Sequence, residues 1–315
     1  MHHTHYSKKV FLVIIIVIIT WSNSHSQSKA VRSTIDSLSH IGLERSRSGD
    51  HAAAIAIFTT AIELDPENVG LYVNRSNDYK ALNQFTKTGN DLLKAISLAP
   101  NFAEAYYSYG NLKKRTKEYD SAIYYYSIAL SLKSTLEFAY SGRAEAYSIL
   151  GKFQAAIADY TTLITMDSSD ISAYGLRGEL YGQDKQYALA ISDFTKTIAL
   201  APKDAKGYFC RGLTYSNMNL DEEAARDLTT AISFDPAFTR CYFLRAGIRL
   251  NNKQYELAIE DLSKTIQLDS NFAAAYFNRA LAYLELHSDT LSCLDFERSY
   301  VLGIQEAKEY LQHCK

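Results

Sequence analysis

The chain lacks an excess of charge of either sign. Lysine and arginine number 33 and aspartate and glutamate 35, so the formal net charge is −2. Nucleic-acid-binding proteins present a strongly basic face, and this balance therefore argues against a nucleic-acid partner. The sequence also has no phosphate-binding glycine loop, no zinc-ligand cluster and no nucleophile motif. We accordingly predict no catalytic residue, no metal site and no cofactor.

Long apolar runs are missing beyond residue 19. The one such run, Val10 to Ile19, follows Lys8 and Lys9 and precedes the small-x-small sequence Ser24-His25-Ser26. This order is typical of a secretory signal peptide, and the run is short for a membrane span, which needs about 20 residues. We therefore predict a signal peptide over residues 1–26, with an uncleaved N-terminal anchor as the alternative.

Cysteine is absent from this leader, which argues against a lipid-anchored lipoprotein. Cleavage would remove Lys8 and Lys9 and no acidic residue, so the formal charge would move from −2 to −4. Residues 27–34 are predicted to form a short polar linker. The sequence therefore predicts an exported protein, periplasmic or secreted, without a transmembrane span after cleavage.

Proline is rare, and its positions share one 34-residue grid. The four prolines are Pro66, Pro100, Pro202 and Pro236. Tyrosine follows the same period at Tyr72, Tyr106, Tyr140, Tyr174, Tyr208, Tyr242 and Tyr276. A fixed period of this length indicates a stacked repeat array, and such arrays usually bind other molecules rather than catalyse reactions.

Eight repeats run from Ile35 to Glu306 when the prolines are placed at position 32 of 34. Positions 8 and 20 always hold small residues, and position 24 always holds a large apolar or aromatic one. Positions 4, 8 and 11, and again 20, 24, 27 and 28, have helical spacing, with turn residues between the two sets. Each repeat is therefore predicted to be two antiparallel helices that approach closely at the small residues.

This pattern resembles the tetratricopeptide repeat family over residues 35–306. The resemblance implies an all-α fold, a right-handed superhelical solenoid of eight helix-turn-helix repeats with a concave groove. Residues 307–315 are predicted to form a C-terminal capping helix, because the last repeat otherwise leaves its apolar face in water. Local departures are Ser134, Ser168, Ser270 and Ile304 in place of the proline, and the large Leu163 at position 27.

Arginine at position 7 and aspartate at position 23 occur together in six repeats. The pairs are Arg75 with Asp91, Arg143 with Asp159, Arg177 with Asp193, Arg211 with Asp227, Arg245 with Asp261, and Arg279 with Asp295. The two exceptions lose both members, with Ile41 and Ile57 in repeat one and Tyr109 and Tyr125 in repeat three. Because positions 7 and 23 should face each other in an antiparallel hairpin, we predict structural pairs. A row of ligand-binding charges is the alternative.

Cysteines are confined to the second half of the chain. Cys293 lies on the last repeat and Cys314 on the segment after it, and a disulfide between them is a hypothesis that export permits. The alternative is two small buried apolar side chains. We predict no bond between Cys210 and Cys241.

Groove residues are predicted from positions 5, 9 and 12, which share a face of each first helix. The late repeats place apolar residues there: Phe209, Leu213, Phe243, Leu250, Phe277, Leu281 and Leu284. The early repeats place the polar residues Asn77, Tyr107 and Asn111 there. Exposed, the three phenylalanines would form an apolar binding patch; packed against neighbouring helices, they would line nothing.

Asn77 and Asn111 match the position-9 asparagine of the branch of the family that grips carboxylate tails. Lysine, which that branch needs at position 5, never occurs there, so the carboxylate clamp is not predicted. The leading hypothesis is a non-enzymatic scaffold that binds an unidentified protein or peptide in its groove, chiefly in the late repeats. A structural member of an envelope complex, acting through its convex face or ends, is the alternative.

Overall fold

The computed structural model describes residues 29–314, and the predicted signal peptide lies outside them. All regular structure in this part of the chain is helical. The described part of the predicted linker, residues 29–34, is helical and continuous with the first helix, so it does not form a separate linker. None of the helices within residues 29–314 combines the length and apolar character that a bilayer crossing needs.

The chain divides into two compact units between Leu150 and Gly151. The first unit contains α1 (29–47), α2 (His51–Leu64), α3 (Val69–Ala81), α4 (Phe85–Leu98), α5 (Ala103–Arg115), α6 (Tyr119–Leu132) and α7 (Glu137–Ile149). The second contains α8 (Phe153–Met166), α9 (Ile171–Gln183), α10 (Tyr187–Leu200), α11 (Ala205–Asn217), α12 (Asp221–Phe234), α13 (Thr239–Asn251), α14 (Tyr255–Leu268), α15 (Ala273–Glu285), α16 (Asp289–Val301) and α17 (Ala307–Leu311). The two helices of the fourth repeat therefore belong to different units.

A left-handed residue ends the first helix of every repeat. Position 15 has a positive φ, between 55° and 82°, at Gly49, Asn83, Lys117, Gly151, Lys185, Asn219, Lys253 and His287. At the seventh repeat the Lys253 amide donates to the Leu250 carbonyl at 3.0 Å and the Gln254 amide to the Arg249 carbonyl at 2.8 Å. These two bonds form a Schellman motif, which satisfies carbonyls that the helix end leaves free. The helices therefore reverse direction within a few residues.

Close helix approach explains the small residue at position 8. A Cβ atom on Gly110 would lie 2.7 Å from the Tyr126 ring, and one on Gly178 would lie 2.8 Å from the Phe194 ring. The ring at position 24 thus packs directly against the backbone of the first helix of the same repeat. A side chain at either glycine would displace that ring and separate the two helices.

Hydrogen bonds from the tyrosine ladder connect successive repeats. The Tyr72 hydroxyl donates to the Pro66 carbonyl at 3.1 Å, and the Tyr242 hydroxyl donates to the Pro236 carbonyl at 3.3 Å. Equivalent bonds occur at Tyr106, Tyr208 and Tyr276. Position 4 of one repeat therefore holds the turn at position 32 of the repeat before it.

The C-terminal segment packs onto the last repeat through a helix shorter than the sequence suggests. Helix α17 has five residues, and Ala307 is fully buried against Ala280 and Phe296. The Tyr310 ring stacks on Phe296 with centroids 4.4 Å apart. These contacts cover part of the apolar face of the final repeat.

Candidate functional site

The predicted arginine–aspartate pairs form bidentate ion pairs within the repeats of each unit. Arg75 meets Asp91 with Nε–Oδ2 and Nη2–Oδ1 distances of 2.8 and 2.7 Å, and Arg177 meets Asp193 with both distances at 2.8 Å. The same pairing occurs for Arg211 with Asp227, Arg245 with Asp261 and Arg279 with Asp295. Arg143 and Asp159 lie on opposite sides of the unit boundary, and their pairing stays a prediction.

A hydroxyl at position 25 of the preceding repeat completes each arginine site, and the sequence analysis missed it. The third donor, Nη1, reaches Thr59 from Arg75 at 3.0 Å and Thr161 from Arg177 at 3.0 Å. Arg143, Arg211, Arg245 and Arg279 make the equivalent bonds to Ser127, Thr195, Thr229 and Ser263. Every repeat that precedes an arginine repeat has serine or threonine there, which is the signal that could have revealed the contact.

Tyrosines of the same helix flank the guanidinium groups. The Arg75 guanidinium lies 5.7 Å from the ring centroids of both Tyr72 and Tyr79. The hydrogen bonds that Arg75 donates to the Asp91 carboxylate raise the pKa of Arg75. Ion pair, hydroxyl and rings surround the Arg75 guanidinium, an arrangement expected of a structural pair.

Repeat three replaces the ion pair with an aromatic contact. Tyr109 and Tyr125 meet edge to face with centroids 4.6 Å apart. Position 25 of the preceding repeat is Leu93, which has no hydroxyl. All three members of the arginine site therefore change together, which is expected if they form one packing unit.

The three phenylalanines at position 5 do not form an exposed row, contrary to the binding interpretation. Phe209 is buried, and its ring centroid lies 4.8 Å from Phe238; Phe243 lies 4.7 Å from Phe272. Phe277 is half-buried beside Tyr310, 5.8 Å away. For Phe209 and Phe243 the covering ring comes from position 34 of the same repeat, and for Phe277 it comes from α17. These side chains mainly pack the structure.

An open depression lies beside this aromatic row, on the face formed by positions 6, 9, 12 and 13. Its volume is about 540 Å³, and its apolar wall includes Leu244, Leu250 and Leu281. Residues of α11, α13 and α15 line the depression. Gly247 occupies position 9 of α13, the middle one of these three helices, and a Cβ there would meet no atom within 4 Å. Asn251, Asn278, Tyr255, Glu285 and Ser216 supply polar groups around the apolar wall. We call this surface the late-groove depression.

A smaller cavity of about 250 Å³ lies between α9 and α11, and we call it the Gly175 pocket. Its floor includes Phe194, Leu176 and Cys210. Burial raises the pKa of the Cys210 thiol to about 11, so this thiol is neutral at physiological pH. Across the mouth, Lys206 Nζ lies 3.3 Å from Glu179 Oε1.

The early polar residues are engaged within their own unit. Asn111 accepts a hydrogen bond from the buried Tyr126 hydroxyl at 2.7 Å, and the Tyr107 ring lies 6.1 Å from Tyr126. Asn77 is exposed and accepts from Lys80 at 3.3 Å. Phe138, which the sequence analysis did not single out, is 71% exposed at position 2 of repeat four.

Family profiles match three separate stretches of the chain. Profiles described as "Tetratricopeptide repeat" match residues 35–68 and 142–205, and one described as "TPR repeat" matches residues 248–286. The chain belongs to the tetratricopeptide repeat family. Such repeats indicate a protein–protein interaction scaffold, and the family and fold are typical of non-enzymatic proteins.

Solved structures of other tetratricopeptide repeat proteins share the fold. A tetratricopeptide repeat protein from Parabacteroides merdae is 22% identical, with a TM-score of 0.59, over 78% of this chain and 97% of that chain. YrrB, described as a TPR protein with an unusual peptide-binding site, is 22% identical with a TM-score of 0.53, over 62% of this chain and 97% of its own. Identity at this level concerns the fold alone.

A curated relative matches one part of this tetratricopeptide repeat chain. The DnaJ homolog subfamily C member 7 homolog of Dictyostelium discoideum is 32% identical over 116 residues, which are 36% of this chain and 21% of that protein. The match therefore spans about a fifth of the relative. It adds to the evidence for the repeat.

A disulfide joins the last repeat to the segment that follows it. Cys293 and Cys314 form a disulfide across 21 residues, whereas Cys210 and Cys241 are free thiols. A cavity of about 720 Å³ beside the disulfide is lined by Leu284, Leu294 and Tyr310. Leu284 lines this cavity and not the late-groove depression.

No group of three histidine, cysteine or acidic side chains within residues 29–314 is arranged to hold a metal ion.

The predicted groove residues divide into three sets. Leu250 and Leu281 line the late-groove depression. Phe209, Phe243, Phe277 and Leu213 pack on the repeats, and Asn77, Tyr107, Asn111 and Leu284 lie elsewhere.

Proposed function

We propose that this scaffold binds an extended segment of a partner protein in the late-groove depression. The observation that carries the proposal is an open apolar wall, with Leu250 and Leu281, at a position where glycine replaces a side chain. Extended peptides suit such a surface, because apolar side chains enter the depression while polar groups at its edge meet the peptide backbone.

Asparagine side chains support a peptide as the ligand. Asn251 and Asn278 line the depression, and each amide offers both donors and an acceptor to a peptide backbone. At the edge, the Tyr255 hydroxyl donates to Glu285 at 3.2 Å. The mixture of apolar wall and uncharged amides favours a segment with apolar side chains over a highly charged one. The peptide-binding site attributed to YrrB, a protein of the same fold, is in keeping with this.

Filling the depression tests the proposal. Gly247→Leu places a side chain where a Cβ meets no atom within 4 Å, so the variant should fold and lose the binding space. The matched control is Glu260→Leu, which adds the same side chain at position 22 on the exposed surface of α14. Both variants and the wild type would be used to isolate and then titrate the partner by calorimetry.

We expect Gly247→Leu to weaken partner binding at least about tenfold, because the loss of one buried apolar anchor costs roughly 1.5–3 kcal/mol. Glu260→Leu should bind like the wild type. Unchanged affinity in Gly247→Leu, with a cooperative melt, would contradict the groove proposal.

The end of the array offers a second candidate surface. Leu291, Leu294 and Val301 of α16 are 47%, 58% and 68% exposed. An apolar surface of this kind is typical of an interaction site, so assembly through the last repeat is the alternative function. Loss of the partner on Leu294→Ser, with Gly247→Leu unaffected, would favour assembly over groove binding.

We further propose that the protein acts outside the cytoplasm, as an exported protein. The Cys293–Cys314 disulfide supports this, because disulfides persist mainly in oxidising compartments. The predicted signal peptide, residues 1–26, agrees with it. Mass analysis of the protein purified from its native source would show whether the leader is removed.

A further inference from the structure

The Gly175 pocket occupies the place that a phenylalanine fills in the next repeat. Phe209, at position 5 of repeat six, shares one hydrophobic cluster with Leu228, Ala231, Phe238, Cys241 and Leu244, and its ring centroid lies 4.8 Å from that of Phe238. The residues 34 places earlier are Phe194, Thr197, Asp204, Gly207 and Cys210, and all five line the pocket. Position 5 of this repeat is Gly175. The pocket therefore corresponds to the space that the Phe209 ring fills in repeat six, and in repeat five no side chain at position 5 fills it.

Size and charge restrict what enters it. The volume is about 250 Å³, whereas an apolar cavity of roughly 150 Å³ holds a benzene ring. Among the lining residues Glu179 and Asp204 are acidic and Lys206 is basic, and the Lys206 ammonium lies 3.3 Å from the Glu179 carboxylate. The apolar floor of Leu176 and Phe194 suits an uncharged ring and disfavours a charged side chain, which would lose its hydration on entry.

Ring-to-ring packing supports the same occupant. In the next two repeats a position-5 ring rests on a position-34 ring at 4.8 and 4.7 Å. In the Gly175 pocket Asp204 replaces the second ring, and its carboxylate accepts from the Lys206 amide at 3.0 Å. Position 24 supplies an aromatic partner instead: Phe194 lines the pocket, and in repeat eight the position-24 ring of Phe296 meets the position-5 ring of Phe277 with centroids 5.6 Å apart.

We propose that the Gly175 pocket is a socket for an aromatic side chain of a bound peptide. This rests on the proposed function, since the ring would belong to the segment that lies in the groove. The ligand's ring would occupy position 5 of repeat five, next in line to Phe209, Phe243 and Phe277, which occupy position 5 of repeats six to eight.

Small amide probes test the socket without a known partner. N-acetyl-phenylalaninamide would be titrated into the full-length protein while the methyl resonances of Ile171 and Leu176 are followed by NMR. N-acetyl-alaninamide and N-acetyl-lysinamide are the matched probes. We expect saturable shifts with the phenylalanine amide and at least about tenfold weaker binding of the other two.

Two variants close the socket. Gly175→Phe restores the ring that repeat six has at this position, and Gly175→Leu is the smaller alternative should the first not fold. A Cβ at Gly175 meets only the Thr197 methyl group, at 4.0 Å. Both variants should abolish the probe-induced shifts, whereas Gly247→Leu should keep them.

Shifts that persist in both variants, shifts that do not saturate, or equal binding of the three amides would each overturn the socket. The result is separable from the proposed function. If the amide does not bind but Gly247→Leu still loses the partner, the socket fails and the groove proposal stands. If the amide binds and Gly247→Leu keeps the partner, the groove proposal fails alone.

Discussion

Removing the carboxylate of Asp193 tests whether the repeated ion pairs are structural. The Asp193 side chain is 6% exposed and that of Arg177 15%, and two hydrogen bonds of 2.8 Å join them. In Asp193→Ala the guanidinium stays in place and loses two of its three hydrogen bonds, those to Asp193, while the one to Thr161 remains. In the double variant Arg177→Met with Asp193→Leu, no buried charge remains.

The two variants should differ greatly in stability. Breaking one partner of a buried pair costs about 3–5 kcal/mol, whereas replacing both with apolar side chains is often near neutral. At roughly 2–4 °C per kcal/mol, Asp193→Ala should melt about 6–20 °C below the double variant. A triple variant, Thr161→Leu, Arg177→Tyr and Asp193→Tyr, copies the arrangement of repeat three and should also be tolerated.

Urea unfolding followed by circular dichroism would measure the loss, and hydrogen exchange of α9 and α10 would localise it, because repeat arrays open locally. Equal melting temperatures for Asp193→Ala and the double variant would refute the reasoning. If the double variant lost the partner while keeping its stability, the pairs would be ligand-binding groups instead.

Four further predictions concern single positions. Lys253→Gly should stabilise the protein by about 1 kcal/mol in urea unfolding, because Lys253 has a φ of 60° that costs little for glycine; a loss of stability would contradict the role of the left-handed turn. Phe209→Ala should cost about 3–5 kcal/mol, because it empties a buried site, and a stability within 1 kcal/mol of wild type in the same assay would restore the exposed-patch interpretation. Since the pKa of Cys210 is raised to about 11, its alkylation by iodoacetamide should accelerate about tenfold per pH unit up to that pH, and a plateau near pH 8.5 in quantitative mass spectrometry would be inconsistent with burial. Replacing Cys293 and Cys314 by serine opens a 21-residue loop and should lower the local stability of α17 by about 3 kcal/mol; unchanged hydrogen exchange in α17 would show that the bond adds nothing there.

Much of the fold was predictable because the same local sequence pattern recurs in every repeat. Small residues at positions 8 and 20, a large one at 24 and a turn between them recur eight times, so neighbouring helices had to pair along the chain. The co-occurrence of Arg177-type and Asp193-type residues indicated a contact 16 residues apart. Such contacts are local, and helical spacing determines which side chains face each other.

Two local features gave weaker signals. Lysine does not ordinarily adopt a positive φ, so Lys117, Lys185 and Lys253 did not indicate a left-handed turn by their residue type. The Thr161 contact with Arg177 connects two repeats and becomes evident only when positions 7 and 25 are compared across the array. Both the positive φ and the Thr161 contact are required by the way the helices pack, and not by the conformational preference of the residue type.

The amino-acid sequence by itself determined the repeat, the hairpins and the ion pairs, because these depend on spacing along one or two helices. Only the tertiary structure decided which groove residues are open. Helical periodicity places Phe209 on the groove face, but the ring of Phe238, 29 residues later, covers it. Conversely, Gly175 and Gly247 have no side chain to signal a function, and the spaces beside them are evident only in the structure, where no atom of a neighbouring helix lies closer than 4.0 Å to a Cβ at either position.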